Sequence, residues 1–117
     1  HQRLADLGRE IGAEVVCRQS NHEGLLVDWI NTSDEEGFGG ILLNAGSLTH
    51  TSYALYDALR GIDLPAIEVH VSNPDAREPF RHHSCIAAAC VGRISGFGPE
   101  SYLLALRGLV ARLKAQR

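Results

Sequence analysis

Apolar residues along the chain switch between two spacings, and the switches mark out its elements. Leu4, Leu7 and Ile11 recur at helical spacing and stop at Gly12, a residue suited to the left-handed turn that ends a helix. Ala13 to Cys17 then reads as a strand. Asn21 is placed to cap a second helix, which carries Leu25, Leu26, Trp29 and Ile30 on one face. Gly40-Ile41-Leu42-Leu43 is apolar throughout, as expected of a parallel strand covered on both faces. A third helix holds Leu55 and Leu59 and closes at Gly61. Over Ile67-Glu68-Val69-His70-Val71-Ser72 the period drops to two, with β-branched residues at alternate positions, and Pro74 soon ends the strand. Ala76 to His82 reads as a short helix or turn, Cys85 to Ile94 holds the last strand, and Pro99 opens a closing helix. That helix turns Tyr102, Leu103, Leu106, Leu109, Val110 and Leu113 inward. The order α-β-α-β-α-β-β-α predicts an α/β domain whose parallel sheet carries helices on both faces.

The alternation in the strand through Glu68 and His70 has a chemical consequence. Glu68, His70 and Ser72 fall on one face, and a lone buried carboxylate is strongly unfavourable, so Glu68 and His70 are expected to pair. Ligands of open α/β sheets bind beyond the strand ends. Here Asn44, Ser47 and His50 follow one strand, His70 and Ser72 finish the next, Arg81 comes soon after, and Asp57 sits on the helix between. Donors, a fixed cation and an acid/base histidine suit a small polyhydroxylated carboxylate. The Val71 and Ser72 N–H groups, with the Ser72 hydroxyl, are placed to receive its carboxylate. Each residue also has a plainer use: His50 as a helix cap, Arg81 as a surface charge, Asp57 as a partner of Arg60.

Composition narrows the options. A chain of 117 residues is one domain. A net charge of -3 offers no basic footprint for nucleic acid or anionic membrane. No apolar run reaches membrane-spanning length, and no signal-peptide pattern opens the chain. Cys17, Cys85 and Cys90 are odd in number and lie in apolar runs, which predicts buried free thiols in a reducing, cytoplasmic setting. No metal site is expected, since neither a zinc spacing nor an i,i+4 histidine pair with a carboxylate is present. The GxSxG elbow of serine hydrolases is absent, and Gly96-x-Gly98 lacks the third glycine of a dinucleotide loop. Lys114 is the single lysine, so imine chemistry is not expected.

Four stretches together resemble the type II 3-dehydroquinate dehydratases: Gln19-Ser20-Asn21-His22-Glu23-Gly24, Asn44 through Ser52, Glu68 through Asn73, and Ala76-Arg77-Glu78-x-Phe80-Arg81-His82-His83-Ser84. Gly96-Phe97-Gly98 followed by Tyr102 also fits. The resemblance implies a flavodoxin-like fold with sheet order 2-1-3-4-5, trimers assembled into a dodecamer, and no metal or organic cofactor. It implies anti elimination of water from 3-dehydroquinate through an enolate, giving 3-dehydroshikimate, in the shikimate pathway or in quinate catabolism. The family's general acid matches His70, oriented by Glu68. Its substrate-binding positions match Asn44, His50, Val71, Ser72 and Arg81, and Asp57 matches the acidic residue that reaches a neighbouring subunit's site.

The departures matter as well. The family's first strand, with its Asn-Gly-Pro-Asn-Leu run, and its lid bearing an arginine and the base tyrosine have no counterpart in these residues. Tyr53, Tyr56 and Tyr102 lie in predicted helices, so none is nominated as base. With no methionine and a helix first, the expectation is a translated chain that starts upstream, since the family's first strand is the middle one. Ser47 and Ser101 replace smaller residues and are expected to be tolerated. The alternative to the enzyme is a non-catalytic flavodoxin-like domain that binds a small ligand or a partner; a metal-dependent hydrolase stands third.

Overall fold

The computed structural model describes residues 1–116. Its helices are α1 (Gln2–Ile11), α2 (Glu23–Ser33), α3 (Tyr53–Arg60) and α4 (Glu100–Ala115). Its strands are β1 (Ile41–Leu43), β2 (Ala66–His70) and β3 (Gly92–Ser95), paired in parallel in the order β1-β2-β3. Such connections require crossovers, and α3 supplies the one between β1 and β2. Every residue of β2 is buried, as the middle strand of a sheet covered on both faces must be.

The two faces have separate cores. On one, Ile30 of α2 and Leu55, Ala58 and Leu59 of α3 pack with Leu43, Ala66 and Ile86. On the other, Ile67 and Val69 meet Ala105 and Leu109 of α4, and α4 in turn packs on Leu7 of α1 through Leu106 and Val110. Gly40 lets this second layer close: a β-carbon there would stand 2.8 Å from the Leu109 side chain.

Four sequence expectations are corrected. Residues 13–17 form no strand, because no described segment pairs with them. Their side chains still alternate, with Ala13 and Val15 half-buried and Glu14 and Val16 exposed. Next to them, Arg18 ties this stretch to α2 and its loop, lying over Trp29 and Phe38 and pairing with Glu36 at 3.2 Å. The last strand occupies only Gly92–Ser95. Before it, the Ser84 Oγ accepts the N–H groups of Ile86 and Ala87, and this local capture favours a turn over a ladder. His22, not Asn21, is the N-cap of α2. Cys17 is exposed, whereas Cys85 and Cys90 are half-buried; all three thiols are free. Residues 76–82 are turns, as expected: two short 3-10 segments, Pro74–Ala76 and Pro79–His82, each opened by its proline.

Candidate active site

The C-terminal ends of β1 and β2 open into one cleft of about 220 Å³. Asn44, Gly46, His50, His70, Val71, Ser72, Pro74, Arg77 and Arg81 line it, so six of the eight candidate binding or acid residues meet there. Ser47 and Asp57 do not; both are exposed, and Asp57, on α3, has no ion pair with Arg60 among the described residues.

β2 fixes the acid/base pair. Glu68 and His70 share the strand face opposite Ile67 and Val69, and the His70 Nε2 lies 2.5 Å from Glu68 Oε2. Glu68 has no exposed surface and His70 is 7% exposed. A carboxylate only accepts, so Nε2 carries hydrogen, and Nδ1 is the ring nitrogen without a partner among the described residues. Two further groups hold Glu68: the Ser84 hydroxyl donates to Oε1 at 2.8 Å, and Arg93 Nε stands 3.1 Å from Oε2. Burial pushes the Glu68 carboxyl up, but the hydrogen bonds from His70 and Ser84 and the charges of Arg93 and His70 together bring it below the ordinary carboxylate range. Neither Ser84 nor Arg93 was singled out for this role from sequence. Their signal lies in the sheet register, which sets Arg93 beside Glu68, and a sequence does not display register.

The second histidine has the complementary arrangement. His50 Nδ1 lies 2.7 Å from the His83 carbonyl oxygen, and a carbonyl only accepts, so Nδ1 bears hydrogen and Nε2 is the remaining atom. His50 is not a helix cap; Ser52 is, with its Oγ accepting the Leu55 N–H at 3.0 Å. Asn44 accepts the Gly46 N–H through Oδ1 and donates to the Tyr102 hydroxyl through Nδ2, at 3.1 and 2.7 Å. Gly46 takes φ of +57°, which eases that turn. The amide keeps one lone pair and one N–H for a ligand.

The cationic wall comes from the two 3-10 segments. Arg81 donates through Nε to Glu78 at 3.1 Å and lies over the Phe80 ring, leaving the rest of its fork for the cleft. Hydrogen bonding to its own backbone, then to Arg81, lowers the Glu78 carboxyl, so it stays charged and holds the guanidinium. Arg77 lines the cleft too, and only the motif, not the spacing, had drawn attention to it. The N–H groups of Val71 and Ser72 meet no acceptor among the described residues. The buried Glu68–His70 pair, the two arginines and the free N–H groups equip the cleft for proton transfer to an anionic, hydroxylated molecule.

Residues 1–110 match the family described as Dehydroquinase class II. A 3-dehydroquinate dehydratase of Rhizobium johnstonii is 58% identical over 102 residues, covering 87% of this chain and 70% of the relative. Among solved structures, the type II dehydroquinase of Propionibacterium acnes superposes with a TM-score of 0.88 at 39% identity, over 94% of this chain and 80% of that one. The type II dehydroquinase of Butyrivibrio crossotus gives 0.87 at 39% identity, over 93% and 79%. The α/β, flavodoxin-like architecture expected from the sequence is thus the architecture found.

Proposed function

The chain belongs to the class II dehydroquinase family, and on that premise we propose how its residues carry out the reaction. It is an enzyme, a carbon–oxygen lyase that removes water from 3-dehydroquinate to give 3-dehydroshikimate in the shikimate pathway. A non-catalytic binding domain is not favoured.

In our reading the substrate carboxylate sits on the Val71 and Ser72 N–H groups and the Ser72 hydroxyl, with Arg81 and Arg77 supplying positive charge. Asn44 and His50 Nε2 take the ring hydroxyls. A general base takes the proton from the carbon beside the ketone, and the electron pair left behind moves onto the carbonyl oxygen as an enolate. The enolate re-forms the carbonyl as the β-hydroxyl departs on the opposite face, taking a proton from His70 and leaving as water. Glu68 orients the ring and stabilises its imidazolium form. Tyr53, Tyr56 and Tyr102 do not line the cleft, and we assign the first proton to none of them. Each bond change is a proton transfer or a shift of an electron pair, so the scheme calls on no metal or organic cofactor.

We further propose that Asp57 serves a neighbouring subunit's cleft within trimers that build a dodecamer. A reducing cytoplasm suits the three free thiols, and cell fractionation checks that placement. No described helix is long and apolar enough to cross a membrane.

The observation that carries these roles is the Glu68–His70 bond at the wall of a cleft that also holds Asn44, His50 and Arg81. Adding 3-dehydroquinate to the protein should raise the ultraviolet absorbance of a conjugated enone. His70→Ala should keep the circular dichroism of the parent and lower turnover by about 100-fold or more. A folded protein that forms no enone would favour the binding domain, and near-normal turnover in the variant would remove His70 from the acid role.

A further inference from the structure

β2 and β3 run in a register that sets Arg93 directly beside Glu68. Residues at one register position of adjoining strands project to the same face, which brings Arg93 Nε to 3.1 Å from Glu68 Oε2. That oxygen is also the one that His70 Nε2 holds. One carboxylate oxygen is therefore divided between a permanent cation and the imidazole, while Oε1 is occupied by Ser84. Arg93 does not line the cleft, and 31% of its side chain is exposed.

We propose that Arg93 is a positioning residue that draws off part of the Glu68 charge and so keeps His70 from holding its proton too tightly. The inference rests on His70 acting as the general acid. Glu68 alone would stabilise the imidazolium strongly, and an over-stabilised imidazolium donates slowly. A cation on the shared oxygen opposes this twice, by competing for the oxygen and by repelling the charged ring.

The surroundings leave Arg93 as the adjustable charge. From the segment before β3, the Cys90 thiol is pushed up to about 11, first by burial and then by Glu68, so it is neutral at pH 7. β1 places Leu43 at the register position beside Glu68, and α2 and α3 pack Ile30, Leu55 and Ala58 on this face, with the Glu23 carboxylate of α2 held by Ser52. Across the cleft stand His50, Arg77 and Arg81. None of these is bonded to the shared oxygen.

The test is to titrate the His70 ring by NMR in the parent chain and in Arg93→Gln, alongside turnover against pH. The midpoint should rise by about 1 pH unit in the variant, and the alkaline limb of kcat should move with it. kcat should fall about threefold, with KM unchanged because Arg93 is outside the cleft. Arg93→Lys, which keeps the charge, should restore most of the parental midpoint. Should the glutamine variant fail to fold, Arg93→Thr makes the same test with a side chain suited to a strand. A purely structural role would lower thermal stability and leave the midpoint where it was, and that result overturns the inference. Enone formation with an unmoved midpoint thus removes Arg93 alone, whereas no enone from the parent removes the dehydratase reading and this inference together.

Discussion

Glu68 is fully buried and yet more acidic than an ordinary carboxyl. Its unfolded value is near 4.5 and its folded value lies lower. The stabilisation this brings is complete above the unfolded value and is lost as pH falls through the folded one. Urea midpoints of the parent should therefore drop as pH is lowered below about 4.5. Glu68→Gln has no proton to take up at this position, and its midpoints should fall less over the same range; parallel curves would show that the depressed carboxyl contributes nothing. At pH 7 the variant should be less stable by about 3 kcal/mol, since His70 and Arg93 lose the charge between them.

Between elements, one hydroxyl adds a polar tie to the apolar packing of α3 on α2. Ser52 Oγ accepts the Leu55 N–H and donates to Glu23 Oε2 at 2.5 Å. Ser52→Ala should cost about 1–2 kcal/mol by chemical denaturation, while enone formation by the folded fraction stays near normal, since Ser52 is outside the cleft. Loss of turnover without loss of stability would contradict this. The sequence made much of this level legible. The period-two run through β2, the apolar run of β1 and the stripe on α4 each located an element, because the burial pattern of a strand or helix is written in its own residues. It also placed Asn44, His50, His70, Val71, Ser72 and Arg81 together, since parallel strands bring their ends to one edge. What it could not display was set across elements. Residues 13–17 have a strand's alternation and no ladder, because pairing depends on a second segment. The turn at Ala87–Ala89 depends on where the Ser84 hydroxyl points, and Arg93 depends on register.

At the scale of the molecule, α3 follows the loop that brings Asn44, Gly46 and His50 to the cleft, and it turns a face outward. Tyr53, 72% exposed, and Asp57 lie one helical turn apart on it. That exposed pair suits contact with a second copy, and sedimentation should give three copies per particle or a multiple of three; a stable monomer would remove Asp57 from any neighbouring cleft. Seen end to end, the polar chain through the sheet can also exchange a proton at one end only among the described residues, the cleft end. Behind His70 and Glu68 stand a serine whose two lone pairs receive Ile86 and Ala87 N–H groups at 3.2 and 3.0 Å and whose one hydrogen is given to Glu68, and a guanidinium that does not give up its proton. Neither can pass a proton onward. The pair is a cul-de-sac rather than a wire, so whatever His70 gives up in one cycle has to be restored through the same opening by which substrate enters and water leaves.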